Sequence, residues 1–392
     1  MIRLNLFHCL IAVVLFFIQI TAEAQHAFVY ADNNCLHNSD GSAFICKGMS
    51  MWYAPLLASE GKSQRARLIV ELDSLQALGV NTISVLAGAS VTLPESADSL
   101  HLSYGVLHSQ MVNEKLLRGL DLVLRELQKR NMRAIVSLDR EMQFSEQYVE
   151  KYKKYAAHVL NRKSSLSAKL YSNDSTILAW RVCDAFMTQN ADSLSRFVSI
   201  ESEIASYLKT LDKGHLVSIS YMPLGMQNNE SLFETCVQAQ DVDLIEVVAN
   251  PVITCGVRNG SLFDNLGNVY LRTDDRIETF NRLASNYGKV YCLSGACYPR
   301  DAFFVRPSSR TEARNAYFAY LLSKAKEAEQ NKQPLVGCSF KGWGGMARTE
   351  GEEWNSVYDY TAEYPECKKG VYSIFSNDVS TTSLLRHAFR QE

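Results

Sequence analysis

Three sets of side chains in this sequence could do chemistry. The first is a group of carboxylates set beside cations: Asp139-Arg140-Glu141, then Arg181 with Asp184, then Glu246. Two carboxylates facing each other across a cleft can serve as acid and base, or as nucleophile and acid/base. The same acids beside Arg140, Arg181 and Lys341 would instead pair off in a solvated charge network, and catalysis would lose its free carboxylate. The second set is aromatic: Trp52, Tyr53, Phe144, Tyr221, Tyr298 and Trp343. Such rings stack on sugars when they line a cleft and pack into the core when they do not. The third set is the cysteines. Beyond Cys9 there are nine, at 35, 46, 183, 236, 255, 292, 297, 338 and 367, so at least one stays unpaired. Cys35 and Cys46 flank an Asn-Ser-Asp-Gly turn and are the pair expected to bridge, the others being read mainly as buried thiols. No C-x-x-C occurs and the histidines are scattered, so neither a metal site nor a cofactor is expected. A cysteine nucleophile lacks a nearby histidine to activate it.

The elements that must position these groups follow from hydrophobic patterning. Runs rich in β-branched and apolar residues read as strands at Phe44–Met49, Thr82–Ala87, Arg133–Leu138, Ile177–Cys183, Leu216–Ser220, Asp243–Val248, Val290–Leu293 and Leu335–Phe340. Between them lie amphipathic segments; in Asn113–Arg130, Leu116, Leu117, Leu120, Leu124 and Leu127 fall at helical spacing. Other helices are expected at Gln64–Leu78, Glu146–Leu160, Leu194–Leu211, Ser231–Gln240, Arg272–Tyr287, Thr311–Gln330 and Thr381–Phe389. Strand and helix alternating along the chain imply parallel βα units. A doubly wound open sheet is the competing arrangement, but eight units favour an α/β fold closed as a single (β/α)8 TIM barrel with extended βα loops, spanning residues 25–392. In such a barrel the chemistry sits at the C-terminal ends of the strands, where the candidate residues fall.

Composition excludes several classes of partner. Forty Lys+Arg against 42 Asp+Glu give a formal charge of −2, and 47 % of residues are hydrophobic. No basic block supplies the counterion release that nucleic-acid binding requires. Arg3, the apolar run Phe7–Ile20 and Ala22-Glu23-Ala24 read as a signal peptide over residues 1–24, cleaved on export to the periplasm or the medium. That run is short for a membrane span.

Several segments resemble the bacterial β-mannanases of glycoside hydrolase family 5. They are Met51-Trp52-Tyr53, Ser59-Glu60-Gly61, Leu78-Gly79-Val80-Asn81, Ile177-Leu178-Ala179-Trp180, Tyr298-Pro299-Arg300-Asp301, Trp343-Gly344-Gly345 and Asp378-Val379-Ser380-Thr381, all in family order. The resemblance implies a barrel acting on β-mannan or another plant-type polysaccharide, with one catalytic glutamate ending strand 4 and a second ending strand 7. Aligned on these anchors, the acid/base position holds Ala185 and the nucleophile position Gly295. The family's strand-2 arginine aligns with Ser84, its strand-6 histidine with Val248, and its first strand-8 tryptophan with Lys341. The expectation is an exported pseudo-glycosidase that binds glycan through the aromatic set. Two alternatives stand beside it: an active endo-β-1,4-mannosidase using Asp184, Glu141 or Glu246 as displaced carboxylates, and a non-catalytic interaction or scaffold protein.

Overall fold

The computed structural model describes residues 28–87, 89–91, 102–104, 113–142, 145–184, 191–223, 230–258, 262–306, 308–349, 359–365, 367 and 369–390. The expected leader, Phe144 and Ala185 lie outside the described residues.

Eight parallel strands close into a barrel: β1 (Cys46–Ser50), β2 (Thr82–Leu86), β3 (Arg133–Ser137), β4 (Ile177–Arg181), β5 (Leu216–Tyr221), β6 (Leu244–Val248), β7 (Val290–Ala296) and β8 (Leu335–Phe340). Every neighbour in the ring is also the next strand in sequence, with β8 pairing back to β1. The ring is thus singly wound, and the open-sheet alternative is excluded. Outside it run α1 (Lys62–Leu78), α2 (Glu114–Lys129), α3 (Glu146–Leu160), α4 (Ala191–Leu211), α5 (Glu230–Gln238), α6 (Leu266–Tyr287), α7 (Glu312–Gln330) and α8 (Val379–Arg390).

Local chemistry accounts for the element ends. The Asn113 side chain accepts from the Leu116 N–H at the start of α2, and Ser145 does the same for Tyr148 at the start of α3. Gly79 and Gly288 end α1 and α6 in the left-handed conformation. In α2 the leucines at 116, 117, 120, 124 and 127 are all buried, as their spacing requires. Strands β2, β4, β5 and β8 are buried along their whole length, as parallel strands covered by helices must be.

Closure depends on glycine where β8 meets β1. Gly337 of β8 has φ +133°, and a Cβ there would lie 2.2 Å from the Cys46 carbonyl of β1. Only a residue without a side chain lets the two strands pair at this point. Beneath, an antiparallel hairpin of Tyr30–Asp32 and Cys35–His37, which patterning had not revealed, supplies Leu36 to an apolar floor shared with Cys46 and Cys292. Cys35 and Cys46 are both free thiols, contrary to the expected bridge. The reason is direction: Cys46 is buried in the barrel floor beside the Cys292 thiol, while Cys35 lies partly exposed on the hairpin.

At the opposite end, two buried ionic clusters fasten the segment between β8 and α8. The carboxylate of Glu71 accepts from Arg67 Nε (2.8 Å), Tyr53 OH (3.0 Å) and the Met346 N–H (2.9 Å), while Arg67 Nη2 donates to the Tyr360 carbonyl (2.7 Å). Asp378 receives Arg300 (2.5 Å) and Arg314 (3.0 Å). These ties bring residues 359–364 over the C-terminal mouth of the barrel.

Candidate functional site at the barrel mouth

Arg181, the last residue of β4, points into the barrel and gathers the acids around it. Its Nε donates to Glu246 Oε1 of β6 at 2.7 Å, and Nη2 to Glu246 Oε2. Nη1 donates to Asp184 Oδ1 (2.6 Å) and Ser137 Oγ (3.3 Å), and Nη2 also reaches Ser84 Oγ of β2 (3.1 Å). All five N–H groups of the guanidinium are thereby used. Burial works to lower the Arg181 pKa, but the charge and hydrogen bonds of Glu246 together with the Asp184 charge outweigh it and the net shift is upward. Glu246 is wholly buried, and its oxygens also accept from Ser218 Oγ (2.7 Å) and Ser294 Oγ (3.1 Å). The second oxygen of Asp184 accepts from Tyr364 OH at 2.6 Å. The displaced carboxylates at 184 and 246 are therefore brought together, but around one cation. Of the expected charge network, Arg181 with Asp184 and Glu246 forms and is largely buried rather than solvated, while Lys341 pairs with no carboxylate among the described residues.

Glu141 takes no part: it projects to solvent against Arg140 (3.1 Å). Its neighbour Asp139 is buried at the end of β3, accepting from the Arg140 N–H and from Tyr148 OH, each at 2.8 Å. Burial pushes its carboxyl up to about 7, against the lowering effect of the Tyr148 bond. The Arg140 guanidinium lies over the Tyr364 ring at 3.8 Å, and Trp52 packs on that ring at 4.7 Å. Tyr364 is thus held from three sides across the mouth.

The five aromatic candidates among the described residues are packed rather than exposed as a sugar platform. Tyr53, Tyr221, Tyr298, Trp343 and Trp52 are between 0 and 2 % exposed. Tyr53 hydrogen-bonds Glu71 and the Trp343 carbonyl, Tyr221 packs edge-on to Phe233 and Phe280, and Tyr298 donates to the Leu262 carbonyl. Trp52 borders the mouth, but its Nε1 donates to the Thr361 carbonyl and Tyr364 covers its face. Their energetic role is packing, since large rings at the helix–barrel boundary bury the most area.

What remains open is a cavity of about 100 Å³ bordered by Ser50, Trp52, Arg181, Asp184, Asn250, Gly295, Lys341 and Tyr364 among others. Gly295 stands on its wall with φ +56° and open space where a Cβ would point. Drug-sized ligand sites occupy roughly 300–1,000 Å³. This one suits a single small group.

The model for "GH family 5 beta-mannosidase-like" proteins matches residues 26–150 and 144–391. The chain belongs to that family. Among curated relatives, mannan endo-1,4-beta-mannosidase 1 of Oryza sativa subsp. japonica is 26 % identical over 206 residues, covering 46 % of each chain. Mannan endo-1,4-beta-mannosidase 3 of Solanum lycopersicum is 22 % identical over 239 residues, covering 54 % of this chain and 56 % of the other. The chain spans about half the length of the curated relatives it matches. The glycoside hydrolase family 5 mannosidase of Rhizomucor miehei superposes with a TM-score of 0.75 at 18 % identity, covering 93 % of this chain and 97 % of that one. The endo-beta-1,4-mannanase of Thermotoga petrophila does so with a TM-score of 0.62 at 17 % identity, covering 90 % and 77 %. These likenesses establish the closed eight-stranded fold.

Several members of the mouth were not singled out from sequence. Ser137, Ser218 and Ser294 are single hydroxyls on inward-facing strand positions, and the only signal was their recurrence within otherwise apolar runs. Tyr364 gave none, because its partner Asp184 lies 180 residues away.

Proposed function

We propose that this family-5 barrel no longer cleaves glycosidic bonds and binds the end of a glycan at its mouth. The observation that carries the reading is the arginine clamp. Glu246 and Asp184 accept hydrogen bonds on both oxygens, and Arg181 supplies a donor to each. Neither presents a proton to a leaving group or a free oxygen to an anomeric carbon. A retaining glycosidase needs two carboxylates about 5 Å apart with one protonated and one free. At the end of β7, where the resemblance sets the nucleophile, stands Gly295. A positioned general acid is worth roughly 10²–10⁴ in rate, and without a nucleophile double displacement has no first step.

Glycan binding is supported by kinship and by the polar pocket that survives. The curated relatives are named for mannan, and a family-5 mannosidase of Rhizomucor miehei is known in complex with mannosyl-fructose. The pocket takes a chain end rather than the length of a polymer, because the mouth is crossed by Tyr364 and, among the described residues, offers no stacked rings. We read the ligand's source as β-mannan or a related plant-type polysaccharide. We read residues 1–24 as the signal that exports the protein to the periplasm or medium.

Reducing-end release from mannan, run beside calorimetric titration with mannopentaose and mannohexaose, tests the reading. Saturable heat with no released ends is expected. Released ends with slow continuous heat would restore the displaced-carboxylate enzyme. Absence of both at millimolar ligand would move the protein to the scaffold reading.

A further inference from the structure

We infer that the group received by the mouth pocket is a carboxylate, so that the glycan end it selects is a uronate-type sugar rather than a neutral hexose. The inference rests on the binding half of the function proposed above and narrows its ligand class.

It comes from an account of which polar groups on the pocket wall remain free. Asp184 has both oxygens engaged, by Arg181 and by Tyr364. Arg181 has no N–H left to offer. Ser294 gives its hydroxyl hydrogen to Glu246. Five side chains on the wall still have a donor to spare: Lys341, Asn250, Ser50, Ser339 and Ser84, whose Oγ only accepts from Arg181. Asn250 uses its carbonyl oxygen to cap the short helix Pro251–Thr254, accepting from the Val252 N–H at 3.2 Å. That orientation leaves its amide NH₂ for the cavity. Among the described residues no carboxylate lies within ion-pair distance of Lys341; its ammonium sits 5.8 Å from the centroid of the Tyr372 ring. All of these groups can donate; the serine hydroxyls can also accept, whereas the Lys341 ammonium and the Asn250 NH₂ only donate, and one of the two is cationic.

Charge points the same way. The wall carries the Arg181 guanidinium, the Asp184 carboxylate and the Lys341 ammonium; Arg181 is already matched by Asp184 and Glu246, so the cluster is neutral overall and Lys341 is its cation without a carboxylate partner among the described residues. The remaining negative charge, on Glu246, lies beneath the floor, wholly buried and covered by the hydroxyls of Ser218 and Ser294. A neutral sugar hydroxyl both donates and accepts and could use the serine hydroxyls, but it gains less from the ammonium than an anion does. A carboxylate only accepts, and pairs with ammonium and amide donors. The cavity of about 100 Å³ is of the right order for such a group with the first atoms of its ring. Lys341 is also the residue that the alignment sets in place of a sugar-stacking tryptophan. The exchange replaces a neutral ring-binding surface with a point charge.

The test is calorimetric titration of the full chain with D-mannuronate and D-glucuronate against D-mannose and mannohexaose, at low and high salt. At low salt the uronates are expected to bind about tenfold or more tighter than mannose, with the advantage shrinking as salt screens the ammonium. Lys341→Met should bring uronate and mannose to within roughly twofold of each other, and Lys341→Arg should keep the preference. An unchanged melting temperature shows that both variants fold. Equal binding of uronate and mannose, or a preference that survives Lys341→Met, overturns the inference. Binding of mannohexaose with none of the uronates overturns it while leaving the proposed function intact. Absence of binding by every probe overturns both, and mannan hydrolysis overturns the proposed function alone.

Discussion

Removing the Arg181 guanidinium, as in Arg181→Met, should be among the most damaging single changes in the barrel. The side chain is 3 % exposed, and its loss would strand Glu246, which is 0 % exposed, without a counter-charge. Breaking a buried pair by deleting one partner costs about 3–5 kcal/mol, because the surviving charge stays desolvated. Unfolding entropy near 2.1 cal/mol/K per residue gives a chain of this size roughly 0.8 kcal/mol/K. The expected fall in Tm is therefore about 4–6 °C in a reversible melt. The double variant Arg181→Met/Glu246→Leu should recover much of that loss, since apolar replacement of both partners is often neutral. Asp184, which keeps its Tyr364 bond and partial solvent access, should limit the recovery only slightly. Differential scanning calorimetry of wild type, single and double variants reads the comparison directly. A single-variant loss below about 1 kcal/mol, or a double variant no better than the single, would refute the clamp as the organising contact of the mouth.

Asp139, held near 7 by burial, links stability to pH. Its folded pKa lies above the unfolded value of about 3.9, so its contribution is fully present below about pH 4 and is lost as pH rises through about 7. Asp139→Asn should flatten the decline in denaturation midpoint between about pH 5 and 7, and an unaltered slope would show that another group dominates. Gly295→Glu, alone or with Ala185→Glu, should release no reducing ends from mannan, because Arg181 and Ser84 do not rebuild the lost orienting groups; measurable hydrolysis would contradict this. The same change should cost about 1–2 kcal/mol through the left-handed backbone at φ +56°. Gly337→Ala should leave little soluble folded protein, given the 2.2 Å approach to the Cys46 carbonyl; a normal melt would show that β8 can shift away from β1. Peptide mapping of the alkylated protein should find Cys35 and Cys46 as separate modified thiols, and a linked peptide would overturn their separation.

Much of the barrel was legible in the chain because its signal is local and repeated. The observed bounds of α3 and β8 coincide with the expected Glu146–Leu160 and Leu335–Phe340, since each is a patterned run with clear stops. Strand β7 runs on to Ala296, three residues past the expected Leu293, because small residues weaken the apolar signal where pairing to β8 continues. The hairpin at Tyr30–His37 was missed because three-residue strands leave too little period to read. The absence of a carboxylate at the end of β7 is also a property of the sequence alone, once Tyr298-Pro299-Arg300-Asp301 fixes the register. What no local pattern could decide is how distant groups meet. Trp52, Tyr53, Tyr221, Tyr298 and Trp343 lie near strand ends, yet whether such rings face a cleft or the helices depends on strand tilt and on what the loops cover. Residues 359–364 cover the mouth because Arg67, Trp52 and Asp184, remote in sequence, bond Tyr360, Thr361 and Tyr364. Arg181 and Glu246 are 65 positions apart and became a pair because β4 and β6 each direct a side chain to the same level of one closed ring. Sequence sets which charges exist; closure of the barrel sets which of them cancel and leaves Lys341 facing the cavity.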